Sequence, residues 1–300
     1  MINRRTAVLT AVASAAAFAA PISAALAQDN PLLHAPHAGP PPLTDADPAL
    51  IALINGPQRS AANKARDPWR HPVDTLSFWG VQPGLVVADI DPGGGYWTEI
   101  VAPYVAQGGG RYIAGMTDPA ASDGAKRDRA AFEAKYADHT VYGPIAYAPF
   151  SIAGGFVAPP DSIDLIIYSR FVHNLMGTPG ALQRALGNFY SALRPGGILA
   201  VEEHRADPRA MVPNATDGYV ATDFVIGEAR KAGFVFEKAS EINANPKDTK
   251  DHPFGVWTLP PTRRSSPFGQ PSNPAFDHAK YDAVGESDRM TLRFHKPAAA

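Results

Sequence analysis

Two histidines follow apolar runs that read as strands. His173 lies just beyond Ile163-Asp164-Leu165-Ile166-Ile167-Tyr168, and His204 follows Ile198-Leu199-Ala200-Val201-Glu202-Glu203. An imidazole changes charge near neutral pH, so either one suits the role of a general base taking a proton from an acceptor. Either is equally readable as a strand-end histidine bonded to a neighbouring carbonyl. Together with His71 and Glu203 they also make a metal set of acceptable ligand types, although no short H-x-x-x-H spacing occurs. The second chemical centre is Asp89-Ile90-Asp91-Pro92-Gly93-Gly94-Gly95. Three glycines let a backbone turn sharply and approach a ligand with no Cβ in the way. Asp89 and Asp91 flank the turn, which favours a ligand with an amine or cationic group over a pyrophosphate. The alternative reading is a tight connection and nothing more. Asp118, 23 residues past Gly95, stands where such folds place a ribose-binding acid, or is a turn acid before Pro119.

Positioning these groups requires a sheet. Leu85-Val86-Val87-Ala88 reads as a strand buried on both faces, and residues 98–105 as the helix after the glycine turn. A second strand is expected at residues 111–115, a polar helix at 123–137 and a short third strand at 140–142. The fourth strand covers 163–168. A helix follows at 181–193, with apolar Leu182, Ala185, Leu186, Phe189, Tyr190 and Leu193, and stops at Arg194-Pro195-Gly196-Gly197. A fifth strand at 198–201, a helix at 223–232, a sixth strand at 234–238 and a seventh at 290–294 complete the pattern. Residues 60–79 have helical spacing that Pro68 and Pro72 must break. Strand–helix alternation of this kind builds an α/β fold, a parallel sheet with helices on both faces, and ligands bind beyond its strand ends. Asp89, Gly93, Gly94, Gly95, Asp118, Ser169, His173 and His204 all fall at those ends.

The chain has 300 residues, 45% of them hydrophobic, with a formal charge of -2 and no cysteine. Disulfides, thiolate zinc sites and cysteine nucleophiles are therefore excluded. No basic face suggests a nucleic-acid partner. Residues 1–27 read as an export signal: Arg4 and Arg5, an Ala/Val/Leu run, then Ala25-Leu26-Ala27 before Gln28. The arginine pair resembles a twin-arginine signal, or is the charged start of an ordinary secretory leader. Its removal leaves 25 basic against 29 acidic side chains. A periplasmic or secreted protein without stable membrane insertion is expected, with a Pro-rich linker at 28–58 and one domain at 59–298. An insertion at about 243–285 includes Lys247, Asp248, Lys250, Asp251, His252 and Trp257. It reads as a substrate lid, or as a surface excursion pinned by Trp257.

With these pieces in place, the chain resembles class I S-adenosylmethionine-dependent methyltransferases. Residues 87–95 are similar to that family's first motif, and Leu193-Arg194-Pro195-Gly196-Gly197 to the turn before its fifth strand. A closer resemblance is to a group of exported predicted methyltransferases. It is carried by Arg70-His71-Pro72, by Pro92-Gly93-Gly94-Gly95-Tyr96-Trp97-Thr98-Glu99 and by Gly285-Glu286-Ser287-Asp288-Arg289-Met290. The resemblance implies a Rossmann-like, mostly parallel seven-stranded sheet of order 3-2-1-4-5-7-6, with S-adenosylmethionine as cofactor. It also implies that Gly93 and Gly95 pack against the methionine part of the cofactor and that Asp118 approaches its ribose; with Asp89, Asp91, Gly94, Phe150 and Ser169 these are the expected cofactor-binding residues, and His173 and His204 are the expected catalytic ones. Asp91 stands in place of the motif's first glycine. Phe150 is either an adenine-stacking or a core side chain. The methyl acceptor is expected to be a small molecule or an envelope component. A nucleoside-binding module without turnover and a metal-dependent envelope protein are the alternatives.

Overall fold

The computed structural model describes residues 47–298, and residues 1–27, read above as an export signal, and most of the Pro-rich segment lie outside them. The first element, α1 (Pro48–Asn55), starts at Asp47, whose side chain accepts the Ala49 N–H and so caps the helix. Leu50 and Ile54 bury its inner face. The next stretch splits at its prolines into α2 (Ala61–Lys64), α3 (Asp67–Arg70) and α4 (Pro72–Trp79), each of the last two beginning at or beside a proline.

β1 (Val86–Ile90) is buried throughout. It runs parallel to β2 (Arg111–Met116) on one side and to β5 (Ile163–Ser169) on the other. Its side chains alternate between two cores. Val86, Ala88 and Ile90 join one face, and Val87 the other. The helix α5 (Thr98–Gln107) covers the Val87 face, together with α1 and α4. Between β2 and β5 come α6 (Asp123–Lys135), α7 (His139–Tyr142), β3 (Ile145–Ser151) and β4 (Gly155–Phe156). After β5 follow α8 (Val172–Leu175), α9 (Ala181–Ala192) and β6 (Leu193–His204). α9 buries Leu182, Ala185, Leu186 and Phe189 against the Val86 face. The chain finishes with α10 (Thr222–Lys231), β7 (Val235–Ser240), β8 (Pro253–Val256), α11 (Ala279–Asp282) and β9 (Arg289–His295). Among the described residues no helix is long and apolar enough to cross a membrane.

The expected seven strands in order 3-2-1-4-5-7-6 are corrected to an eight-stranded sheet of order β4-β3-β2-β1-β5-β6-β9-β7. Two local causes account for the difference. Gly155, at a φ of +73°, lets the chain fold back so that Gly155–Phe156 pairs antiparallel with the end of β3 and adds an edge strand. The third strand is not at 140–142, where Asp138 caps a helical turn by accepting the Thr140 N–H, but at Ile145–Ser151. β9 runs antiparallel between β6 and β7. The Arg194-Pro195-Gly196-Gly197 turn is a bulge at the start of β6, where the pairing with β5 jumps from Ile163–Leu193 to Leu165–Ile198.

Candidate active site at the carboxyl ends of the strands

The β1 end carries the glycine turn. Asp91 adopts the left-handed backbone region at φ 53°, the conformation a glycine in that place supplies without strain. A Cβ added to Gly94 meets nothing within 4 Å, and one on Gly93 only the Asp91 carbonyl at 4.0 Å. Those two residues border open space. Gly95 is different, because a Cβ there would stand 1.7 Å from the Tyr136 hydroxyl. The turn is braced from α6: Lys135 Nζ donates to the Gly94 carbonyl at 2.8 Å, and Tyr136 donates to that of Gly95 at 3.3 Å.

Asp89 is buried behind the turn and accepts a 2.7 Å hydrogen bond from the Tyr112 hydroxyl. Burial pushes its carboxyl up to about 7. Asp91 lines a cavity of about 310 Å³ with Met116, Thr117, Ser122 and Asp128. Its carboxyl is also raised, by burial first; Arg170 opposes that shift and Asp128 adds to it. Asp118 spends one carboxylate oxygen on the Ala120 N–H at 2.8 Å, a turn role. The acid that shares the cavity wall with Asp91 is Asp128, which sequence reasoning missed because it sits on the polar face of α6. Phe150 is buried and packs edge-on to Phe171, with ring centroids 5.2 Å apart. It belongs to the apolar core of the Val86 face. Ser169 donates to Glu202 at 2.6 Å, and the Trp97 indole stands 3.5 Å from its hydroxyl.

At the ends of β5 and β6 the two histidines meet. Their ring centroids are 5.3 Å apart. His173 Nδ1 lies 3.0 Å from Glu203 Oε1, and the same carboxylate accepts the His204 backbone N–H at 2.7 Å. His204 Nδ1 is 2.5 Å from the Ser287 hydroxyl. Burial holds His204 well below the usual imidazole range, helped by His173 and by the guanidinium groups of Arg170, Arg289 and Arg70. It is neutral at physiological pH. His173, Glu203 and His204 each offer a ligand atom within 4.8 Å of the others. His71, which the sequence grouped with them, pairs instead with Asn243, 3.3 Å away. A cavity of about 170 Å³ opens above the pair, lined by Arg170, Asn174, Trp257, Thr262 and Ser287 as well.

The insertion closes this end. The Trp257 ring stands over His173 at 5.8 Å between centroids. Behind it Asp248 accepts from Tyr219 at 3.0 Å, from the Asp288 N–H at 2.8 Å and pairs with His252 at 2.8 Å. Lys250 pairs with Asp288 at 2.8 Å. Sequence reasoning missed the arginine cluster beneath. Glu286 is held by Arg66 at 2.5 Å, Arg70 at 2.9 Å and Arg289 at 3.2 Å. Burial would raise its carboxyl, yet Arg70, Arg289 and Arg66 together hold it at about 2. Arg289 also reaches Glu202 at 2.8 Å. The only sequence signal was that Arg70 and Glu286 sit inside the two flanking motifs of the resemblance.

No protein-family model matches the chain, and no curated protein matches it in sequence. Solved structures do. The [4+2]-cyclase SpnF is similar at a TM-score of 0.52 and 14% identity, over 87% of this chain and all of that one. A SAM-dependent methyltransferase from Aquifex aeolicus gives 0.48 and 16%, over 66% and 94% of the two chains. CrArsM, an arsenic(III) S-adenosylmethionine methyltransferase from Chlamydomonas reinhardtii, gives 0.44 and 18%, over 87% and 75%. What the likeness to SpnF establishes is the fold, an α/β Rossmann-like one.

Proposed function

We propose that this protein is an exported S-adenosylmethionine-dependent methyltransferase acting on a small molecule or an envelope component. The observation that carries the reading is the pairing of two spaces on one sheet edge. One lies beside Asp91 and the glycine turn, and the other lies over His173 and His204. The first suits the donor: the free faces of Gly93 and Gly94 admit a ligand to the backbone, and Asp91 offers charge to a cationic group. Bound there, S-adenosylmethionine would supply an activated methyl group on a sulfonium centre. Methyl transfer of this kind depends mainly on alignment, which a rigid strand edge provides.

The second space suits the acceptor. Glu203 fixes the N–H of His173 at Nδ1, which leaves Nε2 free to accept a proton from an acceptor hydroxyl or amine. His204 stays neutral and turns Nδ1 to Ser287, so its Nε2 serves as a hydrogen-bonding group rather than a second charge. Trp257 and the segment after it line the space over the pair. Export is supported by residues 1–27 alone. Calorimetry of the chain from Gln28 onward with S-adenosylmethionine and with S-adenosylhomocysteine tests the donor half, and binding of both is expected. Absence of heat with either ligand, at concentrations up to millimolar, overturns the assignment.

A further inference from the structure

Arg170 follows β5 directly, with its backbone in the left-handed region at φ 56° and its N–H on the Glu202 carbonyl. Strain of this kind in a non-glycine residue persists where neighbours impose it, often at functional sites. Arg170 lines the cavity over His173 and His204, and its Nε is buried without a hydrogen-bond partner. Among the described residues that guanidinium makes no ion pair within 4 Å. The neighbouring carboxylates do not need it. Glu286 has Arg66, Arg70 and Arg289; Glu202 has Arg289 and Ser169; Glu203 has His173 and the backbone of His204. Arg170 also lies in the field of Asp91 and Asp89, yet none of these carboxylates closes an ion pair with it, and it borders the cavity.

We propose that Arg170 is an anion anchor and that the acceptor methylated at this end presents a carboxylate or phosphate group to it. The inference rests on the methyltransferase reading for its word acceptor, but not for the anchor itself. A guanidinium offers a planar fork of donors that matches either oxyanion in two parallel hydrogen bonds. The cavity is small, and an acceptor larger than it extends into the adjoining groove of about 610 Å³. That groove shares Asn174 and Trp257 with the cavity and adds Phe254, Arg264 and Phe268. An anionic head with an apolar body is the shape the two spaces accept. The competing occupant is a metal ion on His173, Glu203 and His204. Arg170, Arg289 and Arg70 all set positive charge against it, as they do against a proton on His204.

The test uses the full mature chain, its Arg170→Met and Arg170→Lys variants, and inorganic phosphate titrated against potassium chloride of equal ionic strength. Tryptophan fluorescence and thermal melting are the readouts. Phosphate is expected to raise the melting temperature of the parent chain, and Arg170→Met to weaken phosphate binding about tenfold or more. Arg170→Lys, which keeps the charge and loses the fork, is expected to fall between them. If Arg170→Met does not fold, the parent and Arg170→Lys decide the matter. Equal phosphate affinity in parent and variant overturns the anchor, as does stabilisation by zinc chloride with none by phosphate. A loss of S-adenosylmethionine affinity in Arg170→Met that disappears with decarboxylated S-adenosylmethionine also overturns it, by assigning Arg170 to the donor's carboxylate. Phosphate binding at Arg170 in a chain that binds no S-adenosylmethionine supports the anchor while removing the methyltransferase reading.

Discussion

The β1 end and the β6 end of the same sheet edge differ in charge and in cover. At the β1 end the acids Asp89, Asp91 and Asp128 collect beside a bare glycine turn, and the cavity there is walled by short side chains. At the β6 end Arg66, Arg70 and Arg289 converge on Glu286, and Trp257 with its flanking loop roofs the histidines. The residues that close the two strands, Ile90 at one end and Val201, Glu202 and Glu203 at the other, are all buried, so the difference comes from the segment that leaves each strand. After β1 comes a turn of glycines. After β5 and β6 come side chains that receive partners from the distant segments around Arg70 and Glu286. An edge polarised in this way can hold a cation and an anion side by side, which is what a sulfonium donor and an acidic acceptor require.

Removing the proposed base from the roofed end should have the largest effect. His173→Ala is expected to lower methyl-transfer turnover by about 10²–10⁴-fold while S-adenosylmethionine affinity stays within about twofold. Comparable losses in both quantities would merge the two ends into one site. Next comes the pH response of the acidic end. The Asp89 carboxyl sits near 7 in the folded chain against an ordinary 3.8, so its contribution to stability is full below about pH 4 and is lost as pH rises through 7. Asp89→Asn should flatten that part of the pH dependence, by a few kcal/mol at most. Melting curves from pH 4 to 8 on both proteins measure it, and an unchanged slope would show that Asp89 is not the group titrating.

A smaller effect separates two glycines in one turn. Gly95→Ala drives a methyl into the Tyr136 hydroxyl at a φ of +80° and should cost about 1–3 kcal/mol of stability. Gly94→Ala meets open space, so its stability should change by less than about 0.5 kcal/mol while S-adenosylmethionine binding weakens. Denaturant unfolding beside calorimetry distinguishes the two, and a Gly94→Ala chain that binds the donor normally would place the ligand elsewhere. A gain is expected at Asp91→Gly, which relieves a left-handed backbone and should stabilise the chain by up to about 1 kcal/mol while weakening donor binding.

Much of the frame was legible because burial on both faces leaves a plain trace. Val86-Val87-Ala88 and Leu165-Ile166-Ile167 could hardly be anything but interior strands. The third strand was obscured for a local reason. Thr140-Val141 looks like strand material, but Asp138 before it starts a helical turn, while Pro149 disguises the true strand. His173 on the helical turn after β5 meets Glu203 and His204 at the end of the neighbouring β6, whereas His71 has no such constraint and pairs elsewhere.

The amino-acid order by itself determined the strands, the glycine turn and the residues that must lie along one edge, because periodicity and backbone freedom are local properties. Tertiary structure alone decided which of those residues share a charge environment. Glu286 meets Arg70 across 216 residues and Arg66 across 220, and no periodicity records a contact of that span. The same long-range closure isolates Arg170 and neutralises His204, since burial and the sum of surrounding charges exist only once the chain has folded.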